Sequence, residues 1–300
     1  MCRVFGAVAT TPISVENELV ACANPLIRQS EDHDSGWGMA SYADLPCPNP
    51  QIERFPIAAH ADPRFANATK TEARIFNVHV RRATLGGIKL ENTHPFDFGP
   101  YTFSHNGTIL DYRALLRPGM KAPAGDTDSE HFFLRMINEY DPSNPIRSIR
   151  GVVASVVATS IFSGLNFVFS DGELLYAYRL GVFPMNWTAS EDRAMVSSEP
   201  LTKDATWHML DQDVLLTFDP DQPQEPAAQR LIGDTMLTQA RIQRLEPPAS
   251  LKGEARGKYA AASAKDMRVR MLAAARNGSG PVEELVHHGA RTAAPPETQR

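Results

Sequence analysis

The chain has 300 residues, of which 42% are hydrophobic, and this length suits one large domain or one domain with an appendage. The formal net charge is −5 with both signs well mixed, which argues against a general nucleic-acid or membrane-surface binder. The sequence contains no apolar run near the ~20 residues that span a bilayer and no signal-peptide pattern, so we expect no membrane association.

Short apolar runs bounded by Gly, Pro and Asn predict β-strands in the first two thirds of the chain. The predicted strands are Arg3–Ala9, Gly38–Tyr42, Ile75–Val80, Tyr101–Ser104, Met195–Ser198 and Asp213–Phe218. A hairpin is expected between Leu165–Phe169 and Leu174–Tyr178, because Asp171-Gly172 separates these two runs.

Helices are predicted at Glu16–Ala23, Asp111–Leu116 and Asp128–Glu139. Thr127 and Glu130 have the spacing of a capping box at the start of the last one. The apolar, β-branched run Val152–Ile161 fits either a buried helix or a buried strand. This mixture of hairpins and helices predicts an α+β layered domain.

The chain changes in character after about residue 219. Residues 219–226 resemble a polar linker, and residues 251–300 contain nine Lys or Arg against five Asp or Glu. Within that basic stretch, Asp266–Arg276 is a candidate helix, and disorder is expected around Thr292–Pro296. Since no catalytic motif lies beyond residue 250, we expect truncation of the chain at about residue 250 to leave hydrolysis of a small substrate nearly unchanged.

Cys2 follows the initiator methionine, so removal of Met1 would leave a thiol and an α-amine on one residue. The amine can then take the thiol proton and activate its own nucleophile. The simpler alternative is an ordinary half-buried thiol at the start of a strand. The three cysteines, Cys2, Cys22 and Cys47, form no CxxC pattern or disulfide framework, which favours the reducing cytoplasm.

Several segments in a fixed order carry a family resemblance. They are His33–Ala40, His79–Thr84, Asn92–Phe96, Ser104–Thr108, Gly125–Glu130 and Ser197–Leu201. With Cys2, they resemble the class II glutamine amidotransferases, which are N-terminal-nucleophile hydrolases. The opening Met1-Cys2-Arg3 looks most like a stand-alone branch that includes ergothioneine-pathway and glutathione-degrading γ-glutamyl amidohydrolases.

The resemblance covers roughly residues 2–220 and leaves residues 221–300 as a linker and a basic, partly disordered C-terminal extension. It implies an αββα sandwich, in which two antiparallel sheets lie between helical layers. Synthase-type relatives usually have an aromatic residue where Arg82 stands and often a His where Leu85 stands. These differences affect the rim of the pocket and leave the identity of the leaving group open. Neighbours on a strand point to opposite faces, so only one of Arg81 and Arg82 should line the pocket.

The resemblance also implies a role for each site residue. Cys2 would be the nucleophile, and Asn106 with the Gly107 N–H would hold the oxyanion. Arg81 would bind the substrate α-carboxylate with help from Thr84, while Asp128 would bind the α-ammonium. The alternatives are a type I′ turn at Asn106-Gly107, a surface ion pair for either arginine and a favourable helix-dipole position for Asp128.

His79, His94 and His105 lack zinc-site spacing, so a structural or pocket-shaping role is expected for them rather than metal binding. The predicted activity is cleavage of the γ-amide of glutamine or a γ-glutamyl compound through a Cys2 thioester. The alternatives are a glutaminase that supplies ammonia to a separate synthase subunit and a non-catalytic regulatory protein. No metal or other cofactor, no nucleic acid and no membrane partner are expected.

Overall fold

The computed structural model describes residues 2–245, 251–258 and 260–261. The strands are β1 (Arg3–Ile13), β2 (Trp37–Tyr42), β3 (Gln51–Phe55), β4 (Ala73–Val80), β5 (Phe96–Phe98), β6 (Tyr101–Asn106), β7 (Ile161–Phe162), β8 (Asn166–Ser170), β9 (Leu175–Arg179), β10 (Asn186–Ala189), β11 (Arg193–Ser197), β12 (His208–Met209), β13 (Val214–Phe218), β14 (Ala227–Arg230) and β15 (Arg241–Ile242). The helices are α1 (Leu26–Gln29), α2 (Pro63–Ala68), α3 (Asp128–Glu139), α4 (Pro145–Thr159) and α5 (Gly233–Gln239). Shorter helical turns lie at Asn17–Ala21, Ala59–Ala61, Leu90–Asn92 and Tyr112–Leu115.

Two antiparallel sheets form the centre of the fold. The first has the strand order β12-β10-β11-β1-β4-β2-β3, and the second has the order β14-β13-β9-β8-β6-β5. A separate parallel pair joins β15 to β7. β1 and β4 are therefore adjacent in the first sheet, while β6 lies in the second.

Three buried apolar layers separate the sheets and helices, as the alternation of side chains along β1 illustrates. Val4 and Val8 lie in the layer shared with second-sheet residues such as Val168, whereas Phe5 and Ala7 lie in the layer shared with α1 and α2. The third layer covers the outer face of the second sheet with α3 and α4. The α+β, αββα architecture expected from the sequence is confirmed.

The predicted elements are found with small changes in their ends. Every predicted strand and the hairpin are present, and α3 spans the predicted Asp128–Glu139. The Thr127 hydroxyl accepts a hydrogen bond from Glu130 N at 3.2 Å. The Glu130 carboxylate, however, accepts from Ala124 N and Gly125 N at 2.7 Å, so it holds the preceding loop.

Three local predictions needed tertiary information. The ambiguous run Val152–Ile161 completes α4 and then begins β7, so both alternatives apply in succession. The helix predicted at Glu16–Ala23 is a π-helical turn over Asn17–Ala21. The one predicted at Asp111–Leu116 is a 3₁₀ turn over Tyr112–Leu115.

The chain beyond residue 220 continues the sheet, which differs from the expected linker. β14 pairs with β13, and α5 contributes Met236 and Leu237 to the packing around α3 and α4. Asp213 is fully buried, and its carboxylate accepts from Ile232 N at 3.0 Å and Gly233 N at 2.9 Å. The predicted helix Asp266–Arg276 and the predicted disorder near Thr292 lie outside the described residues.

Candidate active site

The predicted site residues meet at one end of the sandwich, where β1 begins and β4 and β6 end. Val4 of β1 is paired with His79 of β4. The His79 ring nitrogen Nε2 lies 3.3 Å from the backbone oxygen of His105, which precedes Asn106. The first sheet therefore brings Cys2 and the Arg81 segment together, and the second sheet brings Asn106-Gly107 beside them.

Cys2 is half-buried, and its Sγ lies against the backbone of Arg82. Sγ is 3.4 Å from Arg82 N and 3.5 Å from Arg82 O. A thiol can donate to the carbonyl, whereas a thiolate would accept from the N–H. The contact therefore suits both protonation states of the Cys2 sulfur.

Arg81 is almost fully buried and organises the loop that follows it. Its Nη1 donates to Gly87 O at 2.9 Å, and its Nη2 donates to Leu85 O at 2.9 Å and Gly86 O at 3.0 Å. Gly86 has a φ of +73°, and a Cβ there would lie 2.7 Å from Asp126 Oδ1, so only glycine fits. These bonds use three of the five guanidinium N–H groups of Arg81.

Thr84 connects the Arg81 segment to the oxyanion candidates. The hydroxyl groups of Thr84 and Thr108 are 3.2 Å apart, and both residues are buried. This hydrogen bond fixes the position of Gly107, which precedes Thr108, relative to the loop that contacts Cys2.

Asn106-Gly107 does not form the alternative hairpin turn. Asn106 is the last residue of β6 and pairs with Asn166 of β8, and neither Asn106 nor Gly107 has the positive φ of a type I′ turn. A Cβ on Gly107 would lie 1.8 Å from Gly164 O. The close approach of these two backbones therefore requires glycine at position 107.

Asp128 begins α3 and is almost fully buried. Its Oδ2 accepts from Ile109 N at 2.7 Å, which ties the helix to the segment after Gly107. Burial raises the pKa of Asp128 to about 7, although backbone N–H groups and the charge of Arg81 act in the opposite direction. An α-ammonium group at this position would favour the carboxylate.

The three histidines form a buried support behind these residues. The rings of His79 and His94 stack with centroids 4.1 Å apart, and His105 Nδ1 lies 2.9 Å from Ser129 Oγ. Burial lowers the pKa of His105 to about 4 and the pKa values of His79 and His94 well below the usual range. Within the described residues, no group of three or more His, Cys, Asp or Glu side chains could hold a metal ion.

Comparison with known proteins identifies the family. The family model of the class II glutamine amidotransferases matches residues 1–185, which is more than half of the chain. The chain belongs to the class II glutamine amidotransferases.

Relatives of this amidotransferase occur in bacteria and archaea. It is 26% identical over 251 residues to YafJ of Escherichia coli K12, whose name assigns it to the glutamine amidotransferases, and the match covers 70% of this chain and 94% of YafJ. It is 31% identical over 188 residues to an uncharacterised protein of Methanocaldococcus jannaschii, covering 60% of this chain. That second match spans 51% of the archaeal protein, or about half its length.

Solved structures support the same fold for this amidotransferase. A class II domain protein of Silicibacter pomeroyi matches with a TM-score of 0.55 and 22% identity, covering 77% of this chain and all of that one. The glutamine phosphoribosylpyrophosphate amidotransferase of Bacillus subtilis matches with a TM-score of 0.59 and 14% identity, covering 78% of this chain and 50% of that one. At these identities the likeness establishes the N-terminal-nucleophile hydrolase fold alone.

Sequence reasoning missed several residues of the candidate site. Strand alternation predicts that Arg82 faces away from the pocket, but β4 ends at Val80, so the alternation rule stops before it. Thr108 and Asn92 lie inside the family motifs without an assigned role; Asn92 Nδ2 donates to Asp126 Oδ1 at 2.6 Å and so braces the loop. Trp37 is core, since its Nε1 donates to buried Asp62 and not to the site.

The C-terminal extension also reaches the site, which the sequence did not indicate. Gly253 N donates to Asp34 Oδ2 at 2.7 Å, and Asp34 is joined through Ser35 to the site, because Ser35 N donates to Arg81 O.

Among the described residues, no helix is both long and apolar enough to cross a membrane.

Proposed function

We propose that this amidotransferase hydrolyses the γ-amide of glutamine or a γ-glutamyl compound through a covalent Cys2 thioester. The observation that carries the proposal is the position of Cys2 Sγ, which lies 3.4 Å from Arg82 N. The segment that contains Arg82 is held by a hydrogen bond from Thr84 to Thr108, which directly follows Asn106-Gly107. Nucleophile and oxyanion donors are thereby supplied by neighbouring strand ends.

The proposed reaction has two steps, formation of the thioester and its hydrolysis. Removal of Met1 gives Cys2 an α-amine that takes the Sγ proton, and Sγ attacks the γ-carbonyl carbon. Asn106 and the Gly107 N–H stabilise the oxyanion, and the C–N bond breaks as the leaving amine takes the proton. Water then attacks the thioester, releases glutamate and returns the proton to Sγ.

The glutamyl group is held at its two charged ends. Arg81 offers its charge and a remaining N–H to the α-carboxylate, and Asp128 binds the α-ammonium as an ion pair. Thr84 completes this wall from the adjacent loop. Because Arg81 and Asp128 are buried and already oriented by hydrogen bonds, little side-chain entropy is lost when substrate binds.

Two alternatives to this function can be distinguished by measuring glutamine turnover and the mass of the intact protein. Glutamine turnover that rises only with a second subunit would indicate a glutaminase that supplies ammonia to a synthase partner. A protein that retains Met1 and hydrolyses no γ-glutamyl amide would be the non-catalytic regulatory alternative.

The test combines intact mass with labelling by a glutamine-mimicking electrophile. We expect a mass without Met1, a single adduct on Cys2 and complete loss of turnover in Cys2→Ala. Cys22→Ala is the matched control: Cys22 Sγ donates to Glu18 O at 3.2 Å and burial raises its pKa, so this variant should stay active. Full turnover in folded Cys2→Ala would overturn the proposal.

A further inference from the structure

The C-terminal strap, defined as residues 251–258 and 260–261, bridges two loops that flank the nucleophile. On one side, Gly253 N binds Asp34, and Lys252 Nζ lies 3.1 Å from Asp32 Oδ1. On the other side, Gly257 packs on Ile88, because a Cβ there would lie 3.1 Å from Ile88 Cδ1. The strap thus joins the Asp32–Asp34 loop to the loop that Arg81 organises.

Arg256 is the side chain that the strap buries. It is only 1% exposed, and its Nη2 donates to Leu251 O within the strap. Its Nε forms an ion pair with Asp34 Oδ1 at 3.8 Å, a distance too long for a hydrogen bond. In the described part of the chain, neither Nε nor Nη1 of Arg256 has a hydrogen-bond partner, which is unusual for a buried guanidinium.

A second arginine lies in the same neighbourhood. Arg82 contacts Cys2 Sγ through its backbone, and its Nε is also buried with no partner among the described residues. Burial lowers the pKa of Arg256, and the charge of Arg82 acts in the same direction, while Asp34 and Cys2 oppose it. The contacts place the two arginines on the same side of the site: Arg256 Nε is 3.8 Å from Asp34 Oδ1, and Ser35, next to Asp34, donates to the backbone oxygen of Arg81, next to Arg82. Both guanidinium groups have unused N–H donors.

We propose that Arg256 and Arg82 form an anion subsite beside Cys2 that binds a carboxylate on the leaving group of a γ-glutamyl amide. This proposal rests on the proposed function. For a substrate with an anionic leaving group, it replaces the expectation that removal of the chain beyond residue 250 has little effect on hydrolysis. The α-carboxylate and α-ammonium of the glutamyl part are assigned to Arg81 and Asp128, so a further anion must belong to the leaving group. A planar guanidinium fork suits a carboxylate, which accepts two parallel N–H bonds.

The first test compares two substrates that differ in one charge: γ-glutamylglycine and γ-glutamylglycinamide. We expect Arg256→Ala to reduce kcat/KM for γ-glutamylglycine by about 10- to 100-fold, the usual effect of a charged hydrogen-bond partner. The neutral glycinamide should change by less than about 3-fold. Arg256→Lys should fall in between, because it keeps the charge without the fork.

The matched control is Lys258→Ala, which removes a charge from the same strap. Its side chain is 77% exposed and pairs with Glu254, so both substrates should keep their wild-type kcat/KM. Thermal melting of every variant shows whether it is folded. Equal losses for both substrates in folded Arg256→Ala would overturn the proposal and indicate a structural role.

The second test needs no turnover: Cys2 is alkylated with iodoacetate, an anion, and with neutral iodoacetamide. We expect Arg256→Ala to lower the iodoacetate-to-iodoacetamide rate ratio about 3- to 10-fold, since it removes a nearby positive charge. If the ratio falls but no γ-glutamyl amide is hydrolysed, the anion subsite stands and the proposed function fails. If wild-type turnover is present but neither readout responds to Arg256, only the subsite is overturned.

Discussion

Two parts of the candidate site are built in different ways: the floor, defined as Cys2, Arg81 and Asn106-Gly107, and the C-terminal strap. Cys2, Arg81 and Asn106 lie at the ends of strands in the two central sheets, and Arg81 and Asn106 are almost fully buried. The strap is attached by one backbone bond to Asp34, by the Arg256–Asp34 ion pair, by the packing of Gly257 and by Lys252–Asp32, whose side chains are 61% and 73% exposed. The proposed chemistry is therefore positioned by the core, and the proposed anion subsite lies partly on a peripheral segment.

The largest effect is expected in the floor, at Gly107. Gly107→Ala would place a Cβ 1.8 Å from Gly164 O and 2.7 Å from His105 Nε2, so the backbone must move. We expect a loss of about 100-fold or more in kcat/KM for glutamine, similar to loss of an oxyanion donor, and a lower melting temperature.

Gly151→Ala is the matched control for that substitution. Gly151 is exposed in α4, a methyl group added there would meet no atom within 4 Å apart from its chain neighbours and nearby helix backbone, and alanine favours a helix by roughly 1 kcal/mol. Its activity should be unchanged and its stability equal or higher. Near-normal activity of Gly107→Ala would remove Asn106-Gly107 from the catalytic assignment.

The second prediction compares two adjacent arginines. Arg81→Lys loses the fork that binds three loop carbonyls, and we expect about a 10- to 100-fold lower kcat/KM for glutamine. Arg82→Lys should be milder with glutamine, whose leaving group carries no carboxylate. A larger loss in Arg82→Lys would show that the wrong arginine was assigned to the glutamyl carboxylate.

The third prediction concerns pH and Asp128, whose pKa is raised to about 7 by burial. Because only the carboxylate binds an α-ammonium, kcat/KM for glutamine should rise with pH through about 7, and Asp128→Asn should lack this rise. Labelling of Cys2 by a small neutral reagent should keep its pH profile in both proteins. Identical glutamine profiles would exclude Asp128 as the ammonium partner.

The raised pKa of Asp128 also predicts how the stability of Asp128→Asn relative to wild type changes with pH. The unfolded pKa of Asp is about 3.9, so ionising Asp128 costs the folded state stability as pH rises from about 4 to about 7. Asp128→Asn avoids this cost and can still accept from Ile109 N. Its melting temperature relative to wild type should therefore increase from about pH 5 to about pH 8, as measured by circular dichroism.

The smallest effect is expected at the edge of the strap. Lys252→Ala removes an exposed ion pair with Asp32, which typically contributes between about 0 and 1 kcal/mol. We expect less than about a 2-fold change in kcat/KM for any γ-glutamyl substrate. A loss comparable to that of Arg256→Ala would mean that the strap depends on this contact for its position.

Local patterns in the sequence determined much of this protein. Short apolar runs bounded by Gly, Pro and Asn predicted β1, β4 and β6, the capping signal at Thr127 predicted the start of α3, and Asp171-Gly172 predicted the hairpin. These features depend on neighbours within a few residues, which a sequence displays directly. The family motifs also predicted which residues would gather at the site, although their individual roles stay predictions.

Tertiary structure alone decided features that depend on distant partners. The buried Asp213 carboxylate binds Ile232 and Gly233 and so extends the domain past the expected boundary at residue 220. Arg82 lies beyond the end of β4, where strand alternation no longer sets its direction. Arg256 lies 3.8 Å from Asp34 because the strap docks on Asp34 and Ile88, and no local pattern encodes contacts between segments more than 150 residues apart.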